Sequence, residues 1–145
     1  MGARRSGREA ALQMLFQLEA SSVTPDHAVE LFWRTFEADP EGRSYADTVL
    51  RGVAENMTAI DERITSASKN WRLERMSRVD RNLLRLGTYE LMFRTDVPRA
   101  VILDEAVELA KAFGTEESPS FVNGVLDRIA NDVGRKDEKD DKGNA

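Results

Sequence analysis

The chain has 145 residues and a formal net charge of −5, a length typical of one domain with a sizeable core. It has no cysteine, which excludes disulfides and thiolate metal sites, and no apolar run approaches the roughly 18 residues of a membrane span. We therefore expect a soluble, cytoplasmic protein with neither cofactor nor bound metal.

Helical signals recur along the chain, whereas no segment alternates cleanly between apolar and polar residues, so we predict an all-α fold. Ser6 and Glu9 have the spacing of a capping box, which predicts that the first helix begins at Ser6. An earlier start would place Arg4 and Arg8 on the apolar face, where an unpaired charge is costly to bury. Residues 1–8 are therefore predicted to form a short basic arm, with Arg4 and Arg5 outside the helix and Arg8 in its first turn.

Later helix boundaries follow from local cap signals. Predicted starts lie at Thr24 with Pro25, Ser44, Thr58, Ser77, and Ser118 with Pro119. A loop is predicted at 38–43, and the apolar pattern of 49–64 indicates one bent helix or two short ones. We expect a compact bundle of about six or seven helices in one domain over 1–134, followed by a polar, disordered tail over 135–145.

Positive charge is concentrated in two places despite the acidic total. Besides the arm, residues 63–85 contain seven basic and two acidic residues. Arg78, Arg81 and Arg85 share one helix face, which is typical of a solvated face paired with nearby acids but also fits a row that follows phosphates. The sequence leaves open whether this row contacts RNA, and the arm is the better candidate for such contacts.

Trp71 lies between Asn70 and Arg72 and has two interpretations. Its ring is suited to stacking on a nucleobase, since every base presents a π-face. It is equally suited to packing across the junction of two helices, and the apolar residues nearby favour packing.

The residues give little support to an enzyme. Asp104, Glu105 and Glu108 are close enough on one helix to suggest a metal site, but acids in the first turns of a helix complement its dipole, and Glu108 can pair with Lys111. His27 near a helix start indicates a surface or packing residue. We therefore expect a non-enzymatic helical adaptor associated with RNA.

Four blocks in order extend the interpretation: 70–75 with 79–90, 96–98, 104–111 and 121–127. Together they resemble the NusB family of transcription antitermination factors. The resemblance implies an all-helical protein that binds single-stranded boxA RNA together with NusE, a small-subunit ribosomal protein. It further implies a complex with RNA polymerase and other Nus factors that suppresses termination, notably on ribosomal RNA operons.

The resemblance also assigns positions in this sequence. Those implied to contact RNA are Arg4, Arg5, Arg8 and Phe121. Those implied to contact NusE or support the complex are Phe16, Asp80 and Glu117. The alternative is a helical RNA-binding adaptor of ribosomal RNA maturation or small-subunit assembly, and the sequence leaves monomer and homodimer equally open.

Overall fold

A computed structural model describes residues 2–136, and over this range the chain forms seven α-helices and two short 3-10 helices without any strand. The predicted all-α fold is confirmed. The helices are α1 (Ala3–Ala20), α2 (Pro25–Thr35), α3 (Arg43–Glu55), α4 (Met57–Ala67), α5 (Arg78–Phe93), α6 (Arg99–Phe113) and α7 (Ser118–Asp132), with 3-10 turns at Pro40–Gly42 and Leu73–Arg75. None of the helices described is long and apolar enough to span a membrane.

The helices group into two compact units, the first ending at Met57 and the second beginning at Thr58. In the first unit α1 packs against α3, and α2 packs against both. Two glycines allow the closest approach, because a Cβ atom on Gly7 would lie 2.9 Å from the carbonyl oxygen of Gly42. The amino-terminal end of α1 is therefore held directly against the start of α3.

In the second unit α5, α6 and α7 pack against one another in pairs. The core side of α5 is apolar, and its Leu83, Leu84 and Leu86 are fully buried or nearly so. Gly87 lets α7 approach α5, because a Cβ atom there would lie 2.7 Å from the Leu126 side chain. The single domain predicted for 1–134 stays a prediction.

The predicted start of α1 is wrong. The helix begins at Ala3 and not at Ser6, so residues 3–8 are helical and do not form an extended arm. Ser6 lies inside the helix, where its hydroxyl donates a hydrogen bond of 3.3 Å to Asp39 and caps nothing. Packing of Gly7 on Gly42 is a contact distant in sequence, and it stabilises the additional turn that the local cap signal excluded.

Other boundaries are closer to the prediction. Thr24 and Ser77 are confirmed as N-caps, since each hydroxyl accepts a backbone N–H three residues on, at 3.1 Å in both cases. The pattern of 49–64 is two helices separated at Asn56. Ser118 is the first residue of α7 and not its cap, which is Glu117.

The end of α7 is anchored beyond the predicted boundary at Gly134. Arg135, which the sequence placed in the polar tail, donates hydrogen bonds to the carbonyl oxygens of Leu91 at 3.0 Å and Val97 at 2.6 Å. Its own carbonyl accepts a hydrogen bond from Arg99 at 2.7 Å. The remainder of that predicted tail, from residue 137, lies outside the described residues.

Candidate nucleic-acid interface

The segment that joins α4 to α5 is fixed at both ends by side chains. The buried Ser68 hydroxyl donates to the carbonyl of Ile64 at 2.6 Å and lies 3.3 Å from the carbonyl of Trp71. At the other end, Nη1 of Arg81 donates to the carbonyls of Leu73 at 3.2 Å and Met76 at 2.7 Å. The intervening backbone is therefore held in one conformation.

Trp71 projects outward from this segment. Its side chain is 59% exposed, the most exposed of the large apolar side chains in the part described. Its ring centroid lies 5.9 Å from that of Phe121 on α7, with an angle of 72° between the ring planes. The expectation that Trp71 packs across the helix junction is wrong, because the fixed backbone turns the indole toward solvent, where it forms an aromatic corner with Phe121.

The aromatic corner is one wall of a groove whose remaining lining is mainly polar. The other residues that line it are Arg75, Met76, Ser77, Asp80, Thr115 and Glu117. Atom Oδ1 of Asp80 is buried and has no hydrogen-bond partner among the described residues. Three positions assigned by resemblance, Phe121, Asp80 and Glu117, thus meet at one groove.

The turn between α6 and α7 brings Thr115 and Glu117 to the groove. The Ser118 hydroxyl accepts the backbone N–H of Thr115 at 3.0 Å. Gly114 is required for this closeness, since a Cβ atom there would lie 2.5 Å from the Ser118 hydroxyl oxygen and 2.8 Å from the carbonyl of Ala110. The groove therefore has fixed walls on both sides.

Two of the three arginines in the row on α5, Arg81 and Arg85, form hydrogen bonds or ion pairs within the protein. Arg85 forms a bidentate ion pair with Asp61, at 2.9 and 3.1 Å, and Arg81 holds the carbonyls described above. Just before α5, Lys69, Arg72 and Arg75 are exposed and form no salt bridge with any residue of 2–136. Of these, Arg72 follows Trp71 directly and Arg75 lines the groove, so both bring positive charge to the aromatic corner.

In the first unit, the predicted RNA-contacting arginines are part of α1. The guanidinium carbons of Arg4 and Arg8 lie 5.5 and 5.4 Å from the centroid of the Tyr45 ring on α3. Arg8 is only 2% exposed, whereas Arg4 and Arg5 are exposed. Phe16, assigned to the NusE side, is half-buried on the same helix.

Glu108 and His27, which were considered as metal-binding or catalytic residues, have structural roles instead. Glu108 pairs with Lys111 at 3.4 Å, as the sequence predicted. His27 is exposed and its backbone N–H binds the Thr24 cap. No cluster of three or more potential metal ligands occurs within 2–136.

Sequence reasoning missed Tyr45 and underrated Arg72 and Arg75. Tyr45 gives no local signal, because its role depends on a helix packed from elsewhere in the chain. A signal for the other two was available: an aromatic residue followed closely by arginines, between two helices, is typical of a surface that contacts nucleic acid.

An all-helical fold with an exposed aromatic corner beside basic side chains defines a class of small helical proteins whose surface has the chemistry that stacks bases and binds phosphates. Sequence comparison agrees with this class: the profile of the NusB family matches residues 5–131. The chain is 66% identical over 137 residues to a transcription antitermination protein NusB of Sorangium cellulosum, covering 94% of this chain and 98% of that protein.

Solved structures give the same result. T. maritima NusB superimposes with a TM-score of 0.79 at 42% identity, covering 88% of this chain and 90% of that one. A chain in the crystal structure of antitermination factors NusB and NusE in complex with dsRNA has a TM-score of 0.79 at 24% identity, covering 90% and 97%, and supports the fold alone. The chain belongs to the NusB family.

Proposed function

We propose that this protein is a transcription antitermination factor that binds boxA RNA together with NusE in the bacterial cytoplasm. The observation that carries the proposal is the match of almost the whole chain to relatives of that name, one of them 66% identical over 137 residues. The groove formed by Trp71, Phe121 and the polar residues around it supplies a surface of the required chemistry.

The proposed mechanism is that of an adaptor. The protein and NusE bind boxA in the nascent transcript and, with other Nus factors, remain attached to RNA polymerase, which then reads through terminators in ribosomal RNA operons. A net charge of −5 limits the phosphate affinity of the isolated protein. NusE therefore supplies part of the RNA-binding surface, and the heterodimer binds boxA more tightly than either protein alone.

The assigned residues divide between the two partners. Arg4, Arg5 and Phe121 contact RNA in this proposal, and Arg8 holds the end of α1 that carries Arg4 and Arg5. Phe16, Asp80 and Glu117 contact NusE, with Asp80 offering an oxygen that has no partner within the described chain. Within the second unit, the RNA-contacting Phe121 and the NusE-contacting Asp80 and Glu117 of this proposal line one groove.

The test is transcription through a terminator in a purified system. The reaction contains bacterial RNA polymerase, NusE, the other Nus factors and a template with boxA upstream of the terminator. Adding the protein is expected to raise the fraction of full-length transcripts, and a template with a scrambled boxA should show no increase. Equal termination with and without the protein on the boxA template would refute the proposal.

A further inference from the structure

We propose that the groove at Trp71 and Phe121 is a binding site for one unpaired nucleobase, which stacks on the Trp71 indole. This inference rests on the proposed function, because it assigns a subsite to the RNA that the protein binds. It goes further in naming the residue, the part of the RNA and the requirement that the base be unpaired.

Trp71 is unusually exposed for a tryptophan side chain. An indole that is 59% exposed keeps most of its apolar surface in water, although Trp commonly contributes the largest burial of any side chain. Phe121 lies nearly perpendicular to the indole, at 72°, and so does not stack flat on it. A planar ligand that stacks on the exposed indole has its edge near the second ring, and the two rings form a corner of the right shape for a flat heterocycle.

The site is already formed before a ligand binds. Ser68 holds the backbone at Trp71, and Arg81 holds the carbonyls of Leu73 and Met76. The opposite wall is fixed where Ser118 accepts the N–H of Thr115. Rigid aromatic platforms lose little conformational entropy on binding, so stacking on Trp71 retains most of its intrinsic free energy.

The polar lining favours a base over an apolar side chain of a protein partner. Ser77 and Thr115 line the groove and bring hydroxyl groups to it. Base edges carry N–H groups and carbonyls that can satisfy such hydroxyls, whereas a Leu or Phe side chain would leave them desolvated and unpaired.

The charge around the corner fits the backbone of the same nucleotide strand. Arg72 follows Trp71 directly, and Arg75 lines the groove itself. Arginines near a stacking residue can bind the phosphates that flank a stacked base. A base within a duplex is stacked on its neighbours and cannot enter, so the site selects unpaired RNA.

The test uses the protein labelled with 5-fluorotryptophan, because the chain has two tryptophans and NusE remains unlabelled. Trp33, which donates a hydrogen bond of 2.9 Å to Asp47 in the first unit, provides the internal control. A Trp33→Phe variant assigns the two fluorine resonances. The complex with NusE is then titrated with boxA-containing single-stranded RNA, with the same RNA annealed to its complement, and with versions that carry one abasic nucleotide.

We expect the Trp71 resonance to shift with single-stranded RNA and the Trp33 resonance to stay in place. Annealed RNA, and one of the abasic versions, should fail to produce the shift. Trp71→Ala should weaken RNA binding roughly 5- to 100-fold, and Trp71→Phe less. Phe93→Ala, which removes another exposed aromatic side chain of the same unit, should change affinity less than about twofold.

Three outcomes would overturn the inference. RNA that binds, by fluorescence polarisation, without moving the Trp71 resonance would show that the groove holds no base. A shift produced fully by NusE, with no change on adding RNA, would assign the groove to the protein partner. Equal shifts with single-stranded and annealed RNA would remove the requirement for an unpaired base. Loss of all RNA binding in the unaltered complex would instead refute the proposed function.

Discussion

The guanidinium of Arg8 is buried over the ring of Tyr45, with its central carbon 5.4 Å from the ring centroid. This contact lowers the cost of placing a charge on the apolar face of α1, because the π-face of a ring attracts a cation, and more strongly when water is excluded. Arg4 lies over the same ring at 5.5 Å. One residue of α3 thus holds two of the three arginines near the amino terminus.

Replacing Tyr45 should reveal this role. Tyr45→Leu is expected to lower the free energy of unfolding by about 2 kcal/mol, since it removes both the cation–π contact and ring packing. Tyr45→Phe keeps the ring and should cost less than half as much. Urea unfolding followed by circular dichroism measures both variants, and equal losses would show that the ring face contributes nothing.

The glycine contact at the start of α1 gives a second prediction. Gly7→Ala places a Cβ atom 2.9 Å from both the carbonyl of Gly42 and the Cβ of Tyr45, so we expect a loss of about 1–3 kcal/mol of stability. Gly124→Ala on α7 is the matched control, because a Cβ atom there meets nothing within 4 Å. It should stabilise the protein by about 0.5–1 kcal/mol through helix propensity. Thermal unfolding measures the stability of both variants. An unchanged stability of Gly7→Ala would contradict the close packing.

Arg75 lines the groove, whereas Arg85 is paired within the fold, so their replacement should affect the salt dependence of RNA binding differently. Arg75→Gln should reduce the slope of log affinity for single-stranded RNA against log salt by about 0.7, the value for one lost phosphate contact. Arg85→Gln should leave the slope unchanged, since Arg85 is paired with Asp61, and should instead reduce stability by about 1–2 kcal/mol. A reduced slope in Arg85→Gln with an unchanged slope in Arg75→Gln would indicate instead that the arginine row on α5 binds phosphates.

The anchor at Arg135 can be tested by two shortened chains. A chain that ends at Gly134 loses the hydrogen bonds to the carbonyls of Leu91 and Val97 and the carbonyl that binds Arg99. We expect it to unfold at a free energy about 1–3 kcal/mol below that of a chain ending at Lys136. Identical denaturation midpoints for the two would show that the anchor does not stabilise α7.

Asp80 provides a test of the proposed NusE contact. Asp80→Lys is expected to weaken NusE binding at least tenfold through charge repulsion in a partly desolvated contact, with the helical circular dichroism signal retained. Asp80→Asn removes the charge and nearly keeps the shape, so its affinity for NusE should fall between those of the unaltered protein and Asp80→Lys. Isothermal titration calorimetry with purified NusE measures the affinities, and an unaltered affinity in Asp80→Lys would exclude Asp80 from the interface.

Local signals were sufficient for much of the fold. Thr24 and Ser77 cap helices because a short hydroxyl side chain reaches an N–H three residues on, and this depends only on neighbouring sequence. Ser6 carries the same signal and is not a cap, because packing of Gly7 on Gly42 stabilises an earlier turn. Contacts distant in sequence decided between identical local patterns.

The arrangement of the candidate site also depends on contacts distant in sequence. Phe121, Asp80 and Glu117 were identified through family resemblance, but their meeting at one groove depends on the packing of α5 and α7. The exposure of Trp71 depends on Ser68 and Arg81, whose hydrogen bonds fix the segment between them. No periodic pattern reports such bonds, so the apolar neighbours of Trp71 suggested burial instead.

The most direct test of RNA recognition is a titration of boxA-containing RNA with the purified protein, with and without NusE, at two salt concentrations. We expect weak, salt-sensitive binding by the protein alone and tighter binding, selective for boxA over a scrambled RNA, when NusE is present. Equal affinity for the two RNAs in the presence of NusE would contradict this expectation.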